Sequence, residues 1–297
     1  MKPAHVVELR GLFEEALARG MGGEVAWVEG AELAALVESP LYLAGLVNRR
    51  NMHLHPLDLC RGEARAAAEA GVRIFEESAV IAVEPGTPAT VRTASGTVRA
   101  GQVLLAGNAY HRLGRGRMRG ALFPASLGVV ATEPLSEEVA RAINPQDLAI
   151  YDNRFVLDYH RLSADRRLIF GGGTNYSGRD SRDIAGELKP AIEATYPRLK
   201  GVRIDYGWTG KAGIIVNRIP HLGRVAPNLW YAEGYSGHGI ATSHVVAEIM
   251  AKAMTGDLEE FALFEQVRHL RLPVGIRAGH LALAAGMGWF RLRERFR

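Results

Sequence analysis

Apolar residues recur at helical and at strand spacings along the chain, and the two spacings alternate in its first part. Helical periodicity at His5–Arg19 and at Ala31–Val37 flanks a short apolar run at Val25–Val28. A third helix is predicted from Pro56 to Gly71, because proline fits a first helical turn, where an amide hydrogen has no partner anyway. Alternating helices and strands of this kind predict an α/β unit.

Several strand-like runs follow the third predicted helix. Val72–Phe75 and Ser78–Val83 are rich in strand-forming residues, and a tight hairpin is predicted at Ala94–Gly96 between two further strands. Gln102–Ala106 is a continuous apolar run, which is typical of a strand buried on both faces within a parallel sheet.

The pattern changes near residue 121. Separated strands with helices between them predict an antiparallel sheet that carries helices on one face, and from residue 228 the chain returns to an α/β pattern. The predicted strands lie at 127–131, 155–160, 168–172 and 202–208, and the predicted helices at 137–143 and 183–196. We therefore expect two interleaved units, one formed by 1–120 and 226–297 and the other by 121–225.

Composition narrows the class of protein. The 297 residues include one cysteine, Cys60, which excludes an intrachain disulfide and favours a reducing, cytoplasmic location. A net charge of +4 is too small to indicate a nucleic-acid partner, and we interpret the arginine clusters as solvated surface. No apolar run reaches membrane-spanning length, since Arg277 and His280 interrupt the longest late one, so residues 276–290 are predicted to form a docked terminal helix.

The hexapeptide from Gly234 to Gly239 carries the clearest chemical signal. It lies between a predicted strand at Leu229–Ala232 and a predicted helix at Ile240–Met254. Its three glycines allow the backbone to approach a ligand, and the amides of a first helical turn point toward whatever lies in front of them. Such a site favours an anion, or a group that becomes one, such as the N1/O2 edge of a reduced flavin. On spacing alone, an ordinary strand-to-helix turn in an α/β domain is the better explanation of the glycines, and the rest of the chain favours the functional one.

Several short motifs, separated along the chain, follow one another in an order that is typical of one protein family. These are His53–Leu57 at the start of a helix, the strand start Ser78–Val80, the strand end Ala106–Ala109, Trp208–Gly210, Asn217–Gly223 and the glycine-rich hexapeptide. In this order they resemble the D-amino acid oxidase-like (DAO) family of FAD-dependent oxidoreductases. Together with Leu157–Asp165 and Phe170–Gly173, they resemble the γ-glutamylputrescine oxidase-like amine oxidases within that family. The resemblance extends over nearly the whole chain.

The resemblance implies that the chain binds FAD and takes a hydride from an amine carbon to the flavin, with oxygen or another molecule as the final electron acceptor. The implied role is in polyamine catabolism. It also implies that Tyr159 and His160 orient the amine over the flavin and that Lys211 assists the reaction with oxygen, although strand packing explains the first two equally well. The implied cofactor contacts are His53, Val80, Ala106, Gly107, Asn108, Gly234, Ser236, Gly237, His238, Gly239 and Ile240.

One expected part of the family pattern is missing. No Gly-x-Gly-x-x-Gly turn follows a strand, and the early cluster Gly20–Gly23 follows a helix instead. We therefore expect an incomplete Rossmann-like FAD-binding domain interleaved with an antiparallel α+β substrate domain. A partner chain could supply the missing nucleotide-binding unit, and the alternative is a non-catalytic remnant or a subunit of a split flavoprotein.

The residues after Trp208 bear on the substrate. They include Lys211 but no arginine before Arg218, and an arginine is the group that clamps an α-carboxylate in amino acid oxidases of this family. The sequence therefore favours an amine over an α-amino acid and leaves the identity of the amine open. It shows no metal-binding motif, P-loop or nucleophile elbow.

Overall fold

Short helices and strands alternate in a computed structural model that describes residues 1–114, 116–154 and 156–271. The predicted terminal helix at 276–290 lies outside these residues, as does Phe155 of one predicted strand. The helices span Pro3–Ala18 (α1), Gly30–Ala34 (α2), Pro56–Glu69 (α3), Glu137–Ile143 (α4), Ile184–Thr195 (α5), Gly239–Met254 (α6) and Glu259–Glu265 (α7).

The strands form four sheets in the described part of the chain. They span Val25–Glu29 (β1), Ala44–Asn48 (β2), Val80–Glu84 (β3), Ala89–Thr93 (β4), Thr97–Ala100 (β5), Val103–Leu105 (β6), Leu122–Thr132 (β7), Ile150–Tyr151 (β8), Tyr159–Leu162 (β9), Leu168–Asn175 (β10), Ile204–Ile215 (β11), His221–Ala226 (β12) and Leu229–Glu233 (β13).

The largest sheet has the order β11-β7-β10-β9-β8, and all its pairings are antiparallel. Helix α5 covers one of its faces, where Ile184, Leu188 and Ile192 pack with Val130 and Phe170 in the main hydrophobic core. Burial of these side chains stabilises the unit because it removes apolar surface from water. The antiparallel sheet with a helix on one face agrees with the pattern predicted from the sequence.

A three-stranded mixed sheet, in the order β12-β13-β6, supports the glycine-rich segment. Strand β13 pairs in parallel with β6, as the continuous apolar run at Gln102–Ala106 predicted. Helix α6 packs on this sheet, with Val246, Ile249 and Met250 buried around Trp230. Strand β13 and helix α6, on either side of the glycine-rich turn, therefore share one hydrophobic core.

Residues 72–75 and strand β12 are among the segments that differ from the sequence prediction. Residues 72–75 form a loop, in which Val72, Ile74 and Phe75 are at least half exposed, because no strand of the described chain pairs with them. Strand β12 was not predicted, since its start overlaps the turn residues of the segment Asn217–Gly223.

The N-terminal hairpin packs against the large sheet. Strand β1 pairs with β2, and Val28, Leu33 and Val37 belong to the same core as α5. The division of the chain near residues 121 and 225 stays a prediction, and this packing places 25–48 in contact with the 121–225 unit.

Candidate active-site cavity

A cavity of about 590 Å³ lies between the end of β13, the start of α6 and the large sheet. Its volume is within the range of about 300–1,000 Å³ that is typical of small-molecule and cofactor sites. Small residues and larger polar and apolar ones line it together, namely Asn108, Leu127, Lys211, Ala212, Gly213, Tyr235, Ser236, Gly237, His238, Gly239, Ile240, Ala241 and Ser243.

The loop between β13 and α6 is held in one conformation by its backbone. Gly234 and Gly237 have φ values of 81° and 96°, and Ser236 has φ of 53°, so all three occupy the left-handed region. The amide of Ser236 donates to the carbonyl of Gly213 at 2.9 Å, and its Oγ accepts from the amide of Ile215 at 3.0 Å. These bonds fix the loop to the end of β11.

Asn108 and Tyr110 connect the end of β6 to the same place. Asn108 adopts φ of 45°, a left-handed conformation that asparagine tolerates well, and its Oδ1 accepts from the amide of Gly234 at 3.0 Å. The hydroxyl of Tyr110 accepts from the amide of Lys211 at 2.7 Å. The cavity is thus assembled from three elements that are far apart in sequence.

The N-terminus of α6 provides the polar character of the cavity. His238 is the N-cap, and its side chain accepts no hydrogen bond from the amides of the first turn. In a 16-residue helix these amides carry the positive end of the dipole and can donate to a ligand. The negatively charged edge of a flavin fits such a wall, whose glycines allow close approach of a flat ring.

The structure brings only some of the predicted site residues together. Asn108, Lys211 and the residues from Ser236 to Ile240 line the cavity, and Gly234 lies directly behind it. Their individual roles stay predictions.

Four other predicted cofactor contacts lie away from the cavity wall. The Nε2 of His53 is 2.7 Å from the carbonyl oxygen of Asp147, and Val80 begins β3 opposite Thr93. Ala106 and Gly107 are exposed just after β6.

Tyr159 and His160 also lie outside the cavity wall, on opposite faces of β9, because neighbouring residues of a strand point in opposite directions. The Tyr159 ring lies over Gly171, where an added methyl group would be 2.1 Å from it. His160 points into the core, with Nε2 2.7 Å from the hydroxyl of Tyr42 and Nδ1 3.2 Å from that of Tyr196. The alternation within β9 prevents both side chains from facing one bound ring.

Burial lowers the pKa of His160 to about 3. We therefore expect its imidazole to stay neutral between about pH 5 and 9, with each nitrogen hydrogen-bonded to a tyrosine. Because the folded-state pKa lies below the unfolded one, this group lowers the free energy of unfolding as the pH falls from about 6.5 toward 3.

Nuclear magnetic resonance of the histidine ring protons tests this expectation. His244 is the control, since it is exposed and the Ile240 carbonyl and Glu63 raise its pKa. The variants His160→Gln and His244→Gln assign the two signals. A His160 signal that titrates near pH 6.5 would contradict the buried, neutral state.

Sequence reasoning missed several residues of the cavity and its rim. Leu127, Ala212 and Gly213 lie on two strands of the large sheet, and no local motif indicates that they face the glycine-rich loop. Asp180 lies 2.5 Å from Lys211 across 31 positions of sequence. Tyr235 and Ala241 also line the cavity, and each is a direct neighbour of a predicted contact, so the glycine-rich motif could have identified them.

The described residues contain neither a candidate metal cluster nor a helix that could span a membrane. No cluster of three or more histidine, cysteine, aspartate or glutamate side chains in residues 1–114, 116–154 and 156–271 is arranged to hold a metal ion. Within the same ranges, no helix has both the length and the apolar character needed to cross a bilayer.

Comparison with known proteins gives a consistent result. Residues 3–253 match the family described as FAD dependent oxidoreductase (DAO). The chain is 40% identical over 262 residues to gamma-glutamylputrescine oxidoreductase of Escherichia coli strain K12. The matched region covers 87% of this chain and 61% of that protein. It spans about three fifths of the length of the curated relatives that it matches at 31–40% identity.

Solved structures agree on the fold. Glycine oxidase from Geobacillus kaustophilus matches with a TM-score of 0.72 and 20% identity over 89% of this chain and 72% of that one. L-proline dehydrogenase from P. horikoshii matches with a TM-score of 0.70 and 20% identity over 87% and 75%. These similarities confirm the fold class predicted from the sequence.

Proposed function

This chain belongs to the DAO family of FAD-dependent oxidoreductases, and on that basis we propose that it binds FAD and oxidises a C–N bond of an amine. The observation that carries the proposal is the cavity at the uncapped N-terminus of α6. FAD, when bound, supplies the acceptor for the two electrons of the amine. The protein supplies binding, orientation and charge stabilisation.

The backbone amides at the start of α6 act as hydrogen-bond donors to a negatively charged group. They are fixed in place by the bonds of Ser236 to β11 and of Asn108 to Gly234, so no reorganisation is needed when a charge develops in front of them. Preorganised donors of this kind stabilise a charged state more than mobile water does. The glycines and alanines of the wall keep the backbone within reach of a flat ligand.

An amine is the substrate class that the wall favours. No arginine is among the lining residues, so the cavity wall offers no planar fork for an α-carboxylate beside the flavin site. The similarity to gamma-glutamylputrescine oxidoreductase supports a γ-glutamylputrescine-like or related amine. We propose oxygen or another acceptor for the electrons, a role in polyamine catabolism and a cytoplasmic location.

We expect FAD to co-elute with the purified chain in gel filtration and γ-glutamylputrescine to bleach the flavin colour under anaerobic conditions. We further expect Ala241→Glu to weaken FAD binding tenfold or more, because it places a negative charge in the cavity wall beside the helix amides. The new carboxylate favours the helix itself, so the variant retains its stability. Fluorescence titration with FAD measures the change.

Ala247→Glu is the matched control, since it makes the same substitution at an exposed position farther along α6. Equal FAD affinity in Ala241→Glu and Ala247→Glu would refute this cavity as the flavin site. FAD binding without bleaching by any amine would refute only the proposed reaction.

A second candidate function is that of a subunit that requires a partner chain. Strand β6 has a paired neighbour on one side only among the described strands, and an open parallel edge invites pairing with another strand. A βαβ nucleotide-binding unit is the partner of fitting chemistry, because it offers both a parallel strand and a helix N-terminus. A chain that binds FAD only after addition of such a unit would favour this function over independent catalysis.

A further inference from the structure

A pair of opposite charges lies at the rim of the cavity. Lys211 lines the cavity, and its Nζ donates to Oδ1 of Asp180 at 2.5 Å and to the carbonyl of Gly178 at 2.8 Å. The Lys211 side chain is 21% exposed and that of Asp180 is 50% exposed. Both charges can therefore be reached by a ligand.

The pair is held in place from the protein side. Asp180 Oδ1 also accepts from the hydroxyl of Ser126, a buried residue of β7, at 2.6 Å. Hydrogen bonds from Lys211 and Ser126 lower the pKa of Asp180, so it is ionised at neutral pH. An ammonium carries three donors and two are used here, which leaves one N–H of Lys211 for a ligand.

A fixed pair of this kind selects ligands by the charges that they carry. A ligand end that carries only an ammonium is attracted by Asp180 and repelled by Lys211. An end that carries only a carboxylate is attracted by Lys211 and repelled by Asp180. An end that carries both groups on one carbon satisfies both partners. That arrangement is the free α-amino acid group, as in the glutamyl end of a γ-glutamylated diamine.

We propose that Lys211 and Asp180 recognise the amino-acid end of the substrate, with its carboxylate at Lys211 and its α-ammonium at Asp180. This inference rests on the proposed amine oxidation and makes the substrate class specific. The substrate is a diamine acylated at one nitrogen by an amino acid side chain, and its free amine is the end that is oxidised.

This role differs from the oxygen-assisting role that the resemblance implied for Lys211. Its ammonium is held by two acceptors of the segment 178–180, the carbonyl of Gly178 and a carboxylate oxygen of Asp180. A specificity contact uses the pair as it stands, without requiring Lys211 to release Asp180.

Calorimetric binding to the full chain, saturated with FAD and again without FAD, tests the proposal. The probes are γ-glutamylputrescine, N-acetylputrescine, which has no charged acyl end, and putrescine. We expect Lys211→Met and Asp180→Asn each to weaken γ-glutamylputrescine binding about threefold to fivefold, in line with the modest contribution of one exposed charged contact. Binding of N-acetylputrescine is expected to change less than twofold.

Lys200→Met is the control, because Lys200 is exposed and lies outside the cavity wall. The proposal is overturned if γ-glutamylputrescine binds the unsubstituted chain no more tightly than N-acetylputrescine, or if the two rim variants bind it as the control does. Selective binding without flavin bleaching would refute the oxidation and leave this inference standing. Bleaching of the flavin, with equal affinities for γ-glutamylputrescine and N-acetylputrescine, would refute this inference and leave the proposed oxidation standing.

Discussion

Substitution of Gly234 by alanine is expected to destabilise the protein by about 2–5 kcal/mol and to abolish FAD retention. Gly234 has φ of 81°, where a side chain costs about 1–2 kcal/mol. An added Cβ would also lie 2.2 Å from Cγ1 of Ile215, a side chain with no exposed surface. Forcing extra volume into a packed core costs roughly 1–3 kcal/mol more.

The damage is expected to extend to the cavity. Gly234 donates its amide to Asn108, and Ile215 donates its amide to Ser236, so a shift at this contact displaces both anchors of the loop. Urea unfolding measures the free energy of unfolding, and gel filtration with FAD measures cofactor retention.

Gly256→Ala is the matched control for this prediction. Gly256 also has a left-handed φ, 114°, but an added Cβ there meets no atom within 4 Å. We expect its free energy of unfolding to fall only by the cost of the left-handed backbone conformation, about 1–2 kcal/mol, and we expect the variant to retain FAD. Equal losses of stability in Gly234→Ala and Gly256→Ala would show that the contact with Ile215 does not contribute to the destabilisation.

Replacement of Arg154 by methionine is expected to cost about 2–3 kcal/mol at neutral pH, less than the loss of one partner of a fully buried pair because the Arg154 side chain is 35% exposed. Arg154 Nη2 lies 2.5 Å from a carboxylate oxygen of Asp152 and 2.5 Å from one of Asp158, and both aspartates are buried. Removal of the guanidinium leaves two negative charges close together without a counter-ion. Breaking a buried pair from one side is far more costly than its net contribution suggests.

The loss is expected to shrink as the pH falls from 7 toward 4. Burial raises the pKa of Asp158, and Arg154 opposes that rise. Without Arg154 the folded-state pKa rises further above the unfolded value, so proton uptake on acidification favours the folded variant more than the folded wild type. Urea unfolding of both proteins at a series of pH values gives the difference.

Arg198→Met provides the comparison, since Arg198 pairs with Glu38 with both side chains almost half exposed. We expect less than about 1 kcal/mol for that exposed pair, at any pH in the series. A loss of the same size in Arg154→Met, or a loss that grows in acid, would refute the role of the buried charges.

The sequence predicted the local elements around the site because their signals are local. Three glycines and a following helical period identify the turn between β13 and α6. A continuous apolar run identified β6 as a parallel strand, because a strand buried on both faces cannot alternate. The order of motifs also predicted the family, to which the match over residues 3–253 assigns the chain.

Side-chain direction in the large sheet was harder to predict. The sequence placed Tyr159 and His160 at one site, but strand geometry separates them, and His160 hydrogen-bonds to Tyr42 and Tyr196 in the core. No pattern in four residues of β9 tells which face of a sheet will be covered by α5. That choice depends on packing between elements far apart in the chain.

The amino-acid sequence by itself thus determined which segments turn, which are buried and which carry the amides that can meet an anion, because these properties depend on neighbouring residues. Only the tertiary structure decided that Asn108, Lys211 and Gly237 share one cavity and that Asp180 faces Lys211. Such contacts depend on the register of β11 against β7 and on the packing of α6, which are set by the whole core.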